Sequence, residues 1–220
     1  MAADPSHSSR PHARSRPLLS RRSAAAALVV FPASWSIAQP APAAPLRRTP
    51  AQTEGPFYPV ALPGDSDFDL LRNGARHYAQ GQPAWVSGQV LDLRGKPVAG
   101  AQVEIWQCDD AGHYHHPGDG GRADPAFQGF GRVTAGAGGA YRFRTIRPVA
   151  YAGRTPHVHF KVKLGQRELL TTQLYVQGDP RNESDGVWRR LQPQDRAVVT
   201  VPFSAGPDGL QARFPIVVDA

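Results

Sequence analysis

Short runs of alternating apolar and polar residues, separated by turn residues at close intervals, are the feature that most restricts the fold of this chain. They begin near Pro83 and continue to Val218, and no long stretch among them carries a convincing helical period. Runs of this length, bounded by Gly, Pro and Asp, are typical of strands in a β-sandwich. The sequence therefore predicts an all-β domain.

Strands are predicted for seven segments: 85–92, 98–107, 141–146, 157–163, 171–176, 197–203 and 210–218. Short helices are considered at 193–197 and at 66–72. No internal repeat and no second domain is evident, so one domain covering residues 53–220 is expected.

The first part of the chain has a different composition from the rest. An arginine-rich stretch ending at Arg21-Arg22 precedes an apolar run from Ala24 to Phe31, and a small-x-small site follows at 36–38. Residues 1–38 are therefore predicted to be an export signal, with the twin-arginine route favoured over the general one. The apolar run is too short for a membrane anchor. Residues 39–52 form a Pro/Ala-rich arm, and the protein is expected to be periplasmic or secreted.

The charge distribution argues against a nucleic-acid-binding protein, and the cysteine count excludes an internal disulfide. Residues 1–38 hold five arginines against one acid, which accounts for +4 of the formal charge of +7 and leaves +3 for the remainder. The remaining basic residues form no run with interleaved aromatics, so nucleic acid is not an expected partner. The single cysteine, Cys108, excludes an internal disulfide and is interpreted as a small buried thiol.

Two histidines and two tyrosines are the candidate chemical groups. His157 and His159 lie on one predicted strand, so their side chains leave the same face about 7 Å apart and both can reach one ion. A His-x-His pair alone is as compatible with a structural role as with metal binding. Tyr114 and Tyr151 lie in turn-rich segments before the pair. If all four converge, their phenolates and imidazoles would suit iron(III), because two hard anionic oxygens favour it and discourage zinc.

Five segments, in this order, carry a resemblance to a known family. They are 53–59 (TEGPFYP), 95–107 (GKPVAGAQVEIWQ), 139–146 (GAYRFRTI), 154–160 (RTPHVHF) and 172–175 (TQLY). Together they resemble the intradiol ring-cleavage dioxygenases over about residues 51–190. The resemblance implies a β-sandwich core with long active-site loops and a mononuclear non-haem iron(III).

The resemblance also implies a role for each candidate residue. Tyr114 and His157 match the equatorial iron ligands, and Tyr151 and His159 match the axial ones. Tyr151 is then the ligand that a catechol displaces. Arg154 matches the arginine that faces the ring-bound intermediate, and Gln173 matches a glutamine beside the metal. The implied reaction inserts both atoms of O2 into a catechol-type ring, between the hydroxylated carbons, and gives a cis,cis-muconate-type product.

Departures from the family pattern limit what the resemblance implies about substrate. Only five residues separate Tyr151 from His157, and Ala152 and Gly153 stand where protocatechuate-cleaving relatives carry an aromatic residue and a longer loop. A shallow, open site for catechols in general is therefore expected, and the secreted or protocatechuate-like branch is favoured. A homo-oligomer remains open. The alternative is a non-catalytic transthyretin-like module, which shares the 95–103 and 139–143 patterns.

Overall fold

The computed structural model describes residues 46–220. The expected export signal at 1–38, and residues 39–45 of the expected arm, lie outside the described residues. Within 46–220, none of the helices has both the length and the apolar character needed to cross a membrane.

Over residues 46–220 the fold contains twelve strands, one α-helix and three short 3-10 helices. The strands are β1 (Arg72–Asn73), β2 (Arg76–His77), β3 (Pro83–Asp92), β4 (Gln102–Trp106), β5 (Phe130–Thr134), β6 (Ala140–Ile146), β7 (His157–Leu164), β8 (Arg167–Val176), β9 (Thr200–Val201), β10 (Ser204–Gly206), β11 (Gly209–Arg213) and β12 (Ile216–Val218). The α-helix is α1 (Pro193–Val199), and the 3-10 helices are Pro117–Asp119, Pro180–Ser184 and Trp188–Arg190.

Two five-stranded sheets form the sandwich. In the first, β3 pairs with β6 on one side and with β11 and β12 on the other, and β10 extends the β11 edge. The second has the order β5-β4-β7-β8-β9. Strands β7 and β8 are buried along most of their length, which explains why 157–163 and 171–176 read as strong strand signals.

The core lies between the two sheets. Phe160 of β7 packs against Phe214 and Tyr141 from the first sheet's side, with ring centroids 5.1 and 6.0 Å apart. All three side chains are almost fully buried. The Tyr141 hydroxyl donates to the Phe214 carbonyl, so the phenol that enters the core keeps a hydrogen-bond partner. The sandwich therefore gives β7 a rigid base, and the candidate histidines lie at one end of that strand.

The all-β prediction is confirmed, and so is the short helix near 193–197. The helix considered at 66–72 is wrong. The carboxylates of Asp65, Asp67 and Asp69 accept backbone N–H groups from Gly74, Asp69 and Leu71, and such local bonds compete with helix formation. These bonds hold the segment in turns.

Several strand boundaries also differ from the prediction. The strand expected at 197–203 is reduced to Thr200–Val201, because the helix begun at Pro193 extends through Val199. The strand expected at 210–218 is broken at Pro215, which has no N–H to donate to a ladder. Strand β5 was not predicted, and its Gly131 is required because a Cβ there would lie 2.6 Å from Leu70 Cδ1.

The chain enters the sandwich along β12 of the first sheet and then runs along β8 of the second. Thr49 is fully buried and exchanges hydrogen bonds with the backbone of Val217. Gln52 donates its backbone N–H to the Thr171 carbonyl at 2.9 Å, and its side chain bonds Thr172. The segment that follows, residues 52–58, crosses the start of β7 and is called the N-terminal strap below.

Candidate active site

The four candidate metal donors come from one strand and two loops. His157 and His159 open β7, Tyr114 follows β4, and Tyr151 lies in the connection between β6 and β7. Strand β7 is held on both sides: His159 is paired with Trp106 of β4 and with Gln173 of β8. The regular sheet therefore fixes the two imidazoles, whereas the two phenols are carried by loops.

The structure brings these four side chains together. The Nε2 atoms of His157 and His159 are 3.1 Å apart, and the Tyr151 hydroxyl is 3.4 Å from His157 Nε2. The rings of Tyr114 and Tyr151 have centroids 5.0 Å apart. Tyr114, His157 and His159 are at most 2% exposed, whereas Tyr151 is only partly buried. Access to the cluster is therefore from the Tyr151 side.

A hydrogen bond sets the tautomer of His157. Its Nδ1 lies 2.6 Å from the Thr155 carbonyl oxygen, so Nδ1 carries the proton and Nε2 presents a lone pair to the cluster. Burial, reinforced by the charge of Arg154, lowers the pKa of His157 to about 3. Burial, and then the neighbouring His157, also holds the pKa of His159 well below its usual value. Both imidazoles are neutral at neutral pH, as metal ligands must be.

The two phenols are poorly satisfied without a cation. The Tyr114 hydroxyl is buried and has no hydrogen-bond partner among the described residues. Burial, and then the proximity of Cys108 and Tyr151, raises the pKa of Tyr114 well above its usual value. Burial also raises the pKa of Tyr151, although the neighbouring Tyr114 hydroxyl and then the charge of Arg154 oppose this. An orphaned buried oxygen beside two Nε2 atoms fits a hard cation, which would deprotonate the phenols by binding them.

Of the four donors, only the two histidines are of the residue types that most commonly hold metals (His, Cys, Asp and Glu). Across residues 46–220, no group of three or more His, Cys, Asp and Glu side chains converges. A site that relies on phenolates is consistent with this, because its remaining donors are Tyr114 and Tyr151. Such a set is selective for a hard trivalent ion, since zinc prefers nitrogen and sulfur.

Arg154 stands beside the cluster in a fixed orientation. Its Nε donates to Asp185 Oδ2 at 2.7 Å, and its Nη2 donates to Gln173 Oε1 at 2.6 Å. Its backbone N–H donates to the Tyr151 carbonyl at 2.7 Å, closing a tight turn through Ala152 and Gly153. Arg154, predicted to face a substrate, is thus tied directly to the backbone of Tyr151.

Gln173 joins the arginine to the N-terminal strap. It is fully buried, and its Nε2 donates to the Thr53 carbonyl at 2.9 Å. Its Oε1 accepts from the Tyr175 hydroxyl at 3.1 Å as well as from Arg154. The structure therefore places Gln173 next to the cluster, where its amide holds Arg154 and the strap at a fixed separation.

The strap covers the donors from the other side. Gly55 adopts φ +75° and passes so close to His159 that a Cβ would lie 3.3 Å from His159 Cε1. Phe57 stacks on Tyr114 at 4.6 Å between centroids. Tyr58 donates to Glu104 Oε2 at 2.8 Å and packs edge-on against Trp106.

Sequence reasoning missed two residues that support the cluster. Trp106 stacks on the His159 ring at 4.7 Å with an interplanar angle of 9°. Asp185 is completely buried and holds Arg154. Burial opposes ionisation of Asp185, but hydrogen bonds from Trp188, Arg154 and Thr155 outweigh it and keep the pKa below its usual value. Trp106 lies in the strand predicted at 98–107, which was a signal for it, whereas no local pattern in the sequence distinguishes Asp185.

The other polar residues near Tyr114 hold the local turns. Asp119 Oδ2 accepts the Tyr114 backbone N–H at 2.8 Å, and Asp124 Oδ1 accepts from Ala126. The His116 ring accepts from Gly118, and the His115 ring bonds the Phe127 carbonyl. Cys108 is buried, and burial raises its pKa to about 12, so its thiol is no nucleophile.

An open pocket leads to the partly exposed donor. It has a volume of about 290 Å³ and is lined by Ala150, Tyr151, Ala152, Gly153, Arg154, Arg181 and Ser184. Ala152 and Gly153 are exposed at its rim, so the short loop leaves the entrance wide. Two arginines line the pocket, and no Asp or Glu among the described residues does. An electron-rich or anionic small molecule matches these walls.

Comparisons with known proteins agree with this arrangement. The family model described as Dioxygenase matches residues 53–220. The chain is 38% identical over 161 residues to the beta chain of protocatechuate 3,4-dioxygenase from Burkholderia cepacia, over 67% of this chain and 68% of that one. It is 35% identical over 209 residues to hydroxyquinol 1,2-dioxygenase from Corynebacterium glutamicum, over 77% of this chain and 63% of that one.

A solved structure is similar over nearly its whole length. The dioxygenase domain of a dioxygenase and carbohydrate-binding protein fusion from Streptomyces sp. SirexAA-E superimposes with a TM-score of 0.64 at 32% identity. The match covers 79% of this chain and 99% of that domain.

The fold and the family match thus define an oxygenase built on a β-sandwich. The chain belongs to the intradiol ring-cleavage dioxygenase family. It is accordingly an oxidoreductase, and the hypothesis of a non-catalytic transthyretin-like module is set aside.

Proposed function

We propose that this chain is an iron(III)-dependent intradiol dioxygenase in which Tyr114, Tyr151, His157 and His159 hold the metal. The observation that carries the proposal is the cluster itself: two Nε2 atoms 3.1 Å apart, a phenol 3.4 Å from one of them, and the buried, unpartnered Tyr114 hydroxyl. Iron(III) in this donor set would supply a Lewis-acidic centre that binds a deprotonated catechol and increases the reactivity of its ring toward O2.

Tyr151 is proposed as the group that takes a proton from the substrate. It is the one donor of the four that is not fully buried, and it lines the open pocket. A catechol hydroxyl entering there meets the Tyr151 oxygen first. Held as a phenolate by the metal, Tyr151 could accept that proton, become a neutral phenol and turn into the pocket, where Ala152 and Gly153 leave space beside it.

Arg154 is proposed to stabilise negative charge on the ring during cleavage. Its guanidinium is positively charged at all relevant pH values and is held by Asp185 and Gln173 before substrate arrives. A charge fixed in advance needs no reorganisation when negative charge develops, which is the condition under which electrostatic stabilisation is most effective. The product expected from insertion of both oxygen atoms is a cis,cis-muconate-type dicarboxylate.

The pocket walls favour a catechol with an anionic ring substituent. Arg181 lies at the rim and is mostly exposed, with a loose contact of 3.5 Å to Asp179. A ring carboxylate could pair with it while the two hydroxyls reach the donor cluster. Unsubstituted catechol would lack that contact. Catechol and a carboxylated catechol are therefore both proposed as substrates, and the carboxylated one is expected to be preferred.

Oxygen uptake with a panel of catechols tests the activity. Wild-type protein loaded with iron should consume O2 with catechol and 3,4-dihydroxybenzoate, and the product spectra should be those of intradiol cleavage. His157→Ala should lose iron and activity, whereas His77→Ala, which removes an exposed histidine of β2, should keep both. Iron-loaded protein that consumes no O2 with any catechol would contradict the proposal.

We further propose that the protein is exported by the twin-arginine route. Arg21 and Arg22 before the apolar run at 24–31 support this. Replacing both with lysine should leave the protein in the cytoplasm, as measured by cell fractionation and immunoblotting. Unchanged export of the double variant would contradict the proposed route.

A further inference from the structure

Asp185 is a buried carboxylate with an unusually complete set of donors. Its Oδ2 accepts from Arg154 Nε at 2.7 Å and from the Thr155 backbone N–H at 3.0 Å. Its Oδ1 accepts from the backbone N–H groups of Val187 and Trp188 at 2.8 and 2.9 Å. Four donors around a fully buried side chain leave it no freedom to reorient.

The segment that carries Asp185 is itself anchored to the start of β7. The Thr155 hydroxyl donates to Asn182 Oδ1 at 2.7 Å, and Asn182 Nδ2 donates to the Val176 carbonyl at 2.9 Å. The 3-10 helix Pro180–Ser184 is thereby tied to both β7 and β8 before the chain reaches Asp185. The carboxylate is therefore positioned by the sandwich, not by a mobile loop.

Asp185 and Gln173 together use one side of the Arg154 guanidinium. The first takes the Nε donor and the second takes an Nη2 donor. The remaining nitrogen, Nη1, has no hydrogen-bond partner among residues 46–220, and Arg154 lines the open pocket. Because the guanidinium is planar and rigid, hydrogen bonds at two of its nitrogens also fix the direction of the third.

We infer that Asp185 is a positioning residue, which holds Arg154 so that Nη1 stays directed at the substrate while Tyr151 turns away. This rests on the proposed function and deepens it. The need for such an anchor follows from the turn at 151–154, where the Arg154 backbone N–H is bonded to Tyr151. A movement of Tyr151 would be passed to Arg154 unless the arginine were held from elsewhere.

Steady-state kinetics on iron-loaded Asp185→Asn, with unsubstituted catechol as substrate, test the inference. An asparagine of the same size cannot accept from all four donors, so Arg154 loses its fixed direction. We expect kcat to fall by about tenfold or more with KM changed less than about threefold, because the interaction matters in the transition state. Iron content and the visible tyrosinate-to-iron absorption should be unchanged.

Asp179→Asn is the matched control. Asp179 is a nearly buried aspartate at the start of the same 3-10 helix, and its carboxylate accepts from the Arg181 backbone rather than from Arg154. It should keep kcat within about twofold of wild type and lose little thermal stability, because asparagine caps a helix about as well as aspartate does. An equal loss of kcat in both variants would mean that Asp185 acts only through the stability of the segment, and would overturn the inference.

A double-mutant cycle separates positioning from a direct effect. In an Arg154→Gln background, Asp185→Asn should change kcat by less than about twofold, because the group it positions is absent. The same loss in both backgrounds would overturn the inference.

Arg154→Lys provides a second approach should Asp185→Asn fail to fold. This variant keeps the positive charge but loses the planar guanidinium that Asp185 and Gln173 hold, so its kcat should fall by about tenfold or more. A lysine variant with wild-type kcat would overturn the inference. Failure of the wild-type enzyme to cleave any catechol would instead count against the proposed function.

Discussion

Substitution of Gly55 tests how closely the N-terminal strap is fitted to His159. Gly55 has φ +75°, and an alanine Cβ there would lie 3.3 Å from His159 Cε1. The left-handed conformation alone costs alanine about 1–2 kcal/mol. His159 cannot move away freely, because Trp106 stacks on its ring and His157 Nε2 lies 3.1 Å from its own Nε2. The strain is therefore transmitted to His159 Nε2, the atom proposed to bind the metal.

Thermal unfolding and visible spectroscopy measure the two parts of this effect. For a domain of this size each kcal/mol corresponds to about 2–4 °C, so Gly55→Ala should lower Tm by about 2–8 °C. It should also lower iron occupancy or shift the visible band. Gly100→Ala is the control, since Gly100 has φ +76° and nothing within 4 Å of its would-be Cβ. If both variants lose Tm equally and neither alters iron binding, the contact of the strap with His159 has no role in the site.

Three further predictions follow from the donor cluster and the pocket. Tyr151→Phe should retain iron but bind catechol more slowly in stopped-flow measurements; unchanged binding kinetics would contradict Tyr151 as the displaced, proton-accepting ligand. Arg181→Gln should lower the ratio of kcat/KM for 3,4-dihydroxybenzoate to that for catechol by about two- to fivefold, with Arg189→Gln as an exposed control outside the pocket; a ratio unchanged from wild type would show that Arg181 takes no part in recognition. Metal-free protein should lose stability as pH falls from about 6.5 toward 3, because His157 takes up a proton in the unfolded state but stays neutral in the folded state, where its pKa is about 3. The expected loss in the free energy of unfolding is about 2 kcal/mol between pH 6.5 and 5. A Tm that does not change over that range would contradict the burial of neutral His157.

Much of the donor cluster could be predicted from the sequence because its parts lie on regular elements. His157 and His159 share a face because a strand repeats every two residues, and the structure brings their Nε2 atoms together. The loops that carry Tyr114 and Tyr151 have no such periodicity. Their placement followed from the order of the family-like segments, not from local pattern.

The parts that were missed depend on tertiary contacts. Asp185 meets Arg154 only after the chain has crossed β7 and β8 and passed through a 3-10 helix, so nothing near it in the sequence marks its partner. The helix considered at 66–72 was wrong because alternate aspartates captured backbone N–H groups, an outcome that apolar periodicity does not register. Strand β5 was missed because Gly131 reads as a strand breaker, although the core needs its small size.

The visible spectrum of the purified, iron-loaded protein before and after addition of catechol without O2 tests the central claim most directly. Two tyrosinates on iron(III) predict a red to burgundy protein whose band shifts when catechol replaces Tyr151. Tyr114→Phe and Tyr151→Phe should each alter the band in the substrate-free protein, and only Tyr151→Phe should diminish the change on adding catechol. A colourless protein with one iron per chain would contradict the account.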